Sequence, residues 1–525
     1  MQIRILSNAK IYTGDKRTPW VNALAVAGER VVATGNAAAA WESAPNTVIE
    51  DMGGATIIPG LCDAHIHLMW YALSLREIDL RGCTRAEMLD VIAQKARHTP
   101  PGEWILGRGW DQNTWADQRF PTAADLNSIT PQHPVALIAK NAHAMVINQV
   151  ALERTGICEN TPDPKHGRID RDNTSSPTGL FFEDATQLVK RVIPEVDLED
   201  MLSLIAKAQN LLLRQGITSV HDVDGGVAFS AFQELHRRKK LRLRLVKYVR
   251  LDLLDGVLAA NLHSGYGDDW LRFGGLKLFA DGALGSRTAA LYESYEGEPG
   301  NSGMLTLEPD QLCDLVTRAV RGGIALCIHA IGDLTNHIVL EALLNTQANY
   351  PHLRHRIEHV QLINPADQCQ LAQTGIVASM QPVHAIHDAD MVDQYWAKRG
   401  QHAYAFRSLL QQGIPLAFGS DAPIEVFDPF LGMYAAVARR RERNRTPYGK
   451  AWYPEQRLNL HEALKAYTWG GAFAAGMEDR LGMLLPGYYA DLAVLNRDIF
   501  SLPEEALLEV AVNRVMVAGN WILFS

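Results

Sequence analysis

His65 and His67 stand one residue apart at the end of Pro59-Gly-Leu-Cys-Asp-Ala-His-Ile-His. In an extended strand the side chains of residues i and i+2 share a face, so two imidazoles so placed can converge on one metal ion. The pair alone is a weak signal, because 18 histidines among 525 residues make a chance His-x-His unsurprising. Four polar residues strengthen it, each in or just after an apolar run where polarity is unexpected. Lys277 lies inside Gly275-Leu-Lys-Leu-Phe, and His329 closes Ile324-Ala-Leu-Cys-Ile. His359 follows Arg356-Ile-Glu, and Asp421 closes Ala417-Phe-Gly-Ser. By ligand softness, imidazoles with one carboxylate suit one or two divalent ions, with zinc the expected metal. Lys277 is the odd member. Beside two cations an ammonium is repelled, whereas a neutral lysine can add carbon dioxide and become a carbamate that bridges two metals. The alternative for Lys277 is a lysine ion-paired inside the fold.

The elements that must position these groups are short apolar β-type runs alternating with helical stretches. The runs include Ile217-Thr-Ser-Val, Leu243-Arg-Leu-Val-Lys-Tyr-Val, Phe273-Gly-Gly-Leu-Lys-Leu-Phe, Ile376-Val-Ala-Ser-Met and Ile414-Pro-Leu-Ala-Phe-Gly. Helices are expected over 198–215, 309–322 and 461–475. This repetition predicts an α/β protein with a (β/α)8 TIM-type barrel, a doubly wound open sheet being the competing arrangement. His329 to His359 spans 30 residues and His359 to Asp421 spans 62. Those are close to one and two βα units of about 31 residues each, which puts the polar residues at one barrel mouth.

From Ile57 to Ile217 is 160 residues, far more than one unit, so a long insertion must follow the first barrel strand. Alternating strands punctuated by turns occur at both chain ends, suggesting a small β-sandwich-like module built from the two termini. The expected organisation is residues 1–56 with 486–525 as this module, 57–68 with 196–485 as the barrel, and 69–195 as an insertion over the active-site mouth. Arg439 to Arg445, with five arginines in seven positions, reads as a solvated helix face.

Composition narrows the function classes. With 50 Lys+Arg against 59 Asp+Glu the formal charge is −9, and no long basic block offers itself to a phosphate backbone, so no nucleic-acid partner is expected. No stretch of about 18 uninterrupted apolar residues predicts a membrane span. The six cysteines are scattered without C-x-x-C pairs, which argues against a disulfide framework or a thiolate zinc site. A cytoplasmic protein acting on a small molecule is expected, and a homo-oligomer is compatible with the sequence.

The ordered set of motifs resembles the amidohydrolase superfamily of metal-dependent (β/α)8 hydrolases. Gly419-Ser-Asp-Ala-Pro belongs to that general set, while Gly107-Arg-Gly-Trp-Asp-Gln, Lys277-Leu-Phe-Ala-Asp-Gly-Ala-Leu-Gly-Ser-Arg-Thr-Ala and His329-Ala-Ile-Gly-Asp narrow the likeness to the branch containing N-substituted formamide deformylases. The resemblance covers essentially the whole chain. It implies that His65, His67 and Asp421 hold one metal, that His329 and His359 hold the other, and that carbamylated Lys277 bridges them. It also implies that Asp421 is the catalytic proton shuttle, serving a water activated by the metal.

Further candidates for substrate binding are Asp281 and Arg287 on the segment after Lys277, His143 in the insertion, and Gln381 and His384 after the seventh strand. Trp110, with Trp70, Trp115 and Tyr71, is a candidate for an aromatic wall, lid packing being the alternative. The expected activity is hydrolysis of a C–N bond in an amide, N-acyl, formamide or cyclic amide substrate. An ester or lactone hydrolase, or a heterocycle deaminase, could use the same centre, and a non-catalytic metal-binding regulator is the reading outside enzymes.

Overall fold

The computed structural model describes residues 2–140, 144–165, 167–347, 349–443 and 445–524. The chain divides into two compact units, Met1–Tyr71 with Ile205–Ser525, and Ala72–Leu204.

The first unit is centred on eight parallel strands paired in sequence order: β1 Leu61–Ile66, β2 Ile217–Asp222, β3 Arg244–Arg250, β4 Leu271–Phe279, β5 Leu326–Ala330, β6 Arg356–His359, β7 Val377–Met380 and β8 Leu416–Phe418. Every residue of β1, β6, β7 and β8 is buried, as expected of strands covered on both faces, which read as near-continuous apolar runs rather than alternating ones. Helix Pro309–Arg321 shows how the outer layer packs. It begins with proline at its first turn and buries Leu312, Leu315, Val316, Ala319 and Val320 along one stripe.

The ends of the sheet meet beyond β8. Asp421 N donates to His65 O at 2.7 Å and His67 N donates to Ala422 O at 2.9 Å, so the sheet closes as a TIM-type barrel. Gly419 permits this approach, because a Cβ there would stand 2.4 Å from His65 N.

Two more sheets belong to this unit. One has four strands, Ile3–Ser7, Leu24–Ala27, Arg30–Thr34 and Thr47–Asp51. The other has six and draws on both chain ends, with Thr56–Pro59 antiparallel to Leu492–Leu495. Leu6, Ile11, Leu24, Val26, Ile57, Leu492, Val494 and Met516 share one buried core.

The second unit carries a six-stranded mixed sheet ordered Gly167–Arg171, Pro177–Glu183, Ala144–Ile147, Val135–Ala139, Ile105–Trp110 and Ile78–Asp79. Helix Arg85–His98 packs on it through Met88 and Ile92, and its start is fixed by a Thr84/Glu87 capping box. Among the described residues no helix is long and apolar enough to cross a membrane.

The arginine run is not a helix face. Helix Pro429–Ala438 stops at Arg439, which adopts φ 51° and is fully buried, with Nη1 donating to Tyr404 O. Arg441–Arg443 then forms a short hairpin with Thr446–Tyr448. Five arginines say nothing about the left-handed backbone that ends the helix between them.

Candidate metal centre at the barrel mouth

The C-terminal ends of the barrel strands bring the sequence-predicted groups together. His65 ends β1 but for one residue and His67 follows it, while Lys277 lies in β4, His329 in β5 and His359 at the end of β6; Asp421 comes just after β8. One donor atom each of His65, His67 and Asp421 lie within 4.8 Å of one another. His65 Nε2 is 3.5 Å and His67 Nε2 3.4 Å from Asp421 Oδ1. The His359 ring centroid lies 5.0 Å from that of His65 and 4.6 Å from that of His329. His359 and Asp421 both have left-handed backbones, at φ 73° and 62°, an uncommon conformation outside glycine that clusters at functional sites.

Each imidazole has one ring nitrogen committed to a protein partner, which leaves the other for a ligand. His65 Nδ1 donates to Glu358. His67 Nδ1 donates to Asp224 Oδ1 at 2.9 Å, His359 Nδ1 to Gln381 Oε1 at 2.7 Å, and His329 Nε2 to Gly282 O at 2.9 Å. The remaining nitrogens are therefore Nε2 of His65, His67 and His359 and Nδ1 of His329. Lys277 Nζ is buried and has no hydrogen-bond partner. Three converging donors, a second imidazole pair and an orphaned buried amine fit a divalent-ion centre, because such donors left without an ion are costly to bury.

The electrostatics agree with the donor geometry. Burial, then nearby Lys277, pushes His65 down to about 4. Burial would lower His67 too, but the Asp224 carboxylate, which accepts from Nδ1, and the nearby Asp421 carboxylate outweigh it and hold it up at about 9. Burial would raise the Asp421 carboxyl, yet His384 and His67 keep it well below the carboxylate range.

Several supporting residues escape a reading of the sequence. Glu358 is fully buried and clamped by Arg356, which also donates to Ala64 O and to Ser379 Oγ, the latter at 2.6 Å. Asp63 ties β1 to the segment after β8 by accepting from Ser420 N at 2.9 Å and Ser420 Oγ at 2.5 Å. The available signal was charge inside apolar strands, in Cys62-Asp63-Ala64 and Arg356-Ile-Glu-His.

The other candidates fall in varied places. Gln381 orients His359, and His384 Nε2 stands 3.5 Å from Asp421 Oδ2. Asp281 is buried and accepts from the backbone N–H groups of Ala290, Ile331 and Gly332. Arg287 Nε pairs with Glu298 at 2.9 Å, an ion pair within its own loop. Trp110 is buried in the core of the second unit, with Nε1 donating to Leu137 O at 2.9 Å. His143 lies outside the described residues.

A closed parallel barrel carrying imidazoles and a carboxylate at its C-terminal mouth is the arrangement of a metal-dependent hydrolase. Residues 48–522 match the amidohydrolase family, and the chain belongs to it. It is 31% identical over 510 residues to Protein LONG AFTER FAR-RED 3 of Arabidopsis thaliana, covering 94% of this chain and 87% of that one. It is 29% identical over 547 residues to the N-substituted formamide deformylase of Arthrobacter pascens, covering 99% and 98%. The crystal structure of an uncharacterized metal-dependent hydrolase from Pyrococcus horikoshii OT3 is 30% identical, with a TM-score of 0.81 over 96% of this chain and 99% of that one.

Proposed function

We propose that this protein hydrolyses the C–N bond of a small amide, N-acyl, formamide or cyclic amide substrate. In this reading His65, His67 and Asp421 hold one divalent ion, zinc by ligand chemistry, and His329 and His359 hold a second. Lys277 would serve both ions as a carbamate, formed when carbon dioxide adds to the neutral Nζ with a new C–N bond and release of one proton. The observation that carries the reading is the convergence of three donor atoms within 4.8 Å at the barrel mouth, beside a buried lysine nitrogen without a partner.

A bound divalent ion supplies Lewis acidity, polarising the scissile carbonyl and making a water acidic enough to ionise near pH ~7. The chain supplies the rest. The Asp421 carboxylate accepts the proton of the attacking water and returns it to the leaving nitrogen. His384, 3.5 Å from Asp421 Oδ2, steadies that carboxylate. Glu358 and Asp224 fix the tautomers of His65 and His67, so that Nε2 of each would be the donor that holds an ion.

The test combines metal analysis with a panel of formamides, N-acyl amines, N-acyl amino acids, lactones and aminated heterocycles. Turnover of amides by metal-loaded protein is expected, with a loss of about 100- to 10,000-fold in kcat for Asp421→Asn, the usual size of a general acid–base contribution. Turnover confined to lactones or aminated rings would replace the amide assignment. Bound metal with no turnover across the panel would overturn the enzymatic one.

A further inference from the structure

We infer that Arg250 selects the substrate: the amide cleaved at this centre carries a carboxylate, gripped by the Arg250 guanidinium at the barrel rim. The inference rests on the amide-hydrolase reading above and narrows its substrate class.

Arg250 is the last residue of β3, and its Cα is the register partner of Lys277 in β4. Register partners in a parallel ladder project to the same face, so Arg250 leaves the sheet on the side that carries Lys277. Its guanidinium carbon lies 4.7 Å from the centroid of the Phe279 ring. The same ring is 4.8 Å from Lys277 Nζ and 5.4 Å from the His329 ring. On its other side the Arg250 stem lies along Gly225, where a Cβ would stand 2.9 Å from Arg250 Cγ. Gly225 directly follows Asp224, the residue that orients His67. Arg250 is thus one aromatic ring away from Lys277 and His329, and one residue away from the group that positions His67.

What Arg250 lacks is an anion. Among the described residues it makes the stacking contact with Phe279 and no side-chain hydrogen bond or ion pair. Two buried carboxylates on neighbouring segments, Asp224 and Asp281, are already committed, and Asp252 just beyond β3 is exposed and makes no ion pair with Arg250. Asp224 accepts from His67 Nδ1 and Trp70 N, and Asp281 from three backbone N–H groups. A guanidinium offers a planar fork that matches a carboxylate with two parallel hydrogen bonds. An N-acyl amino acid presents its carboxylate a few bonds from the scissile carbonyl, a short reach that suits a fork one ring removed from His329. A neutral formamide offers Arg250 nothing to hold.

The test uses full-length, metal-loaded protein and matched pairs: N-formyl and N-acetyl amino acids against the same N-acylated amines without the carboxylate. Wild type is expected to favour the acids in kcat/KM. Arg250→Met should cut the acid-to-neutral ratio by about 30- to 100-fold, the size of a charge-assisted pair, through KM for the acid. Bound metal per chain should stay at the wild-type level, and Arg250→Lys should recover only part of the ratio. The inference is overturned if wild type shows no preference, if Arg250→Met lowers both members equally, or if it loses metal. If no amide in either class turns over, the amide reading fails separately. Calorimetric titration with the free amino acid then decides the point. Binding by wild type that Arg250→Met abolishes supports the carboxylate site, and equal binding by both proteins, or binding by neither, overturns it.

Discussion

The two halves of the candidate centre are held in different ways. His65 and His67 lean on carboxylates, Glu358 and Asp224, and both face a third, Asp421. His329 and His359 hydrogen-bond to neutral groups, the Gly282 carbonyl and the Gln381 amide, while the one carboxylate near them, Asp281 at 3.3 Å from His329 Nε2, is shared among three backbone N–H groups. An anionic partner on the far ring nitrogen makes an imidazole a more basic and better fixed ligand than a neutral one does. The first half should therefore hold its ion more tightly, and the second half should fill and empty more readily. Buried Glu358 would be costly without compensation, but Arg356 supplies it inside the same barrel layer.

The largest effect comes from removing ligands from one half at a time. His65→Ala with His67→Ala should abolish bound metal and activity together, because the tighter ion is lost and Lys277 is left facing an empty half. His329→Ala with His359→Ala should retain about one ion per chain while turnover falls. Metal content by emission spectrometry, read beside kcat, checks the contrast. Equal retention in the two double variants would erase the proposed asymmetry.

Next comes Glu358→Gln against Gln381→Ala. Removing a partner of a metal-bound histidine costs about 10- to 100-fold in metal affinity. Glu358→Gln should lie at the upper end and Gln381→Ala at the lower. Glu358→Gln also leaves Arg356 buried without its counter-charge, at a cost of about 3–5 kcal/mol in fold stability. Denaturant titration of the metal-free protein isolates that cost from the loss of affinity. Comparable affinity losses in the two variants would mean that the charge of Glu358 does not strengthen His65 as a ligand.

These partners also mark where the sequence stops being readable. The strand-end histidines, Lys277 and Asp421 were legible because polarity interrupts apolar runs at intervals of one or two βα units. The barrel was legible for the same reason, since its buried strands are continuous apolar segments. Glu358 was visible only as a charge within Arg356-Ile-Glu-His, because its partner His65 is 293 residues away and periodicity carries no information about such pairing. Asp281 and Arg287 share one motif with Lys277, yet one is spent on backbone N–H groups and the other on Glu298. Which of several polar residues in a loop stays unsatisfied is decided by the loop's own hydrogen bonding, and Arg250, at the end of an ordinary-looking β-run, carries no sequence signal that sets it apart.

The smallest expected effect is also the most direct separation of the halves. In the metal-free protein burial would lower His67, but Asp224 and Asp421 hold it at about 9, so at pH 7 it carries a proton that an incoming ion must displace. His359 is pushed far the other way, by burial first and then by His329 and His65, and is already neutral. Affinity for the first ion should therefore rise about tenfold per pH unit between pH 7 and 8 and level off above about 9, where the displaced proton is already gone. His359 adds no such rise for the second ion, because it has no proton to give up. Calorimetric titration in two buffers of different ionisation heat counts the protons directly: about one released with the first ion, and none from His359 with the second. No proton released with the first ion would show that Asp224 and Asp421 do not hold His67 in its charged form, and one released from His359 with the second would show that burial does not keep that ring neutral.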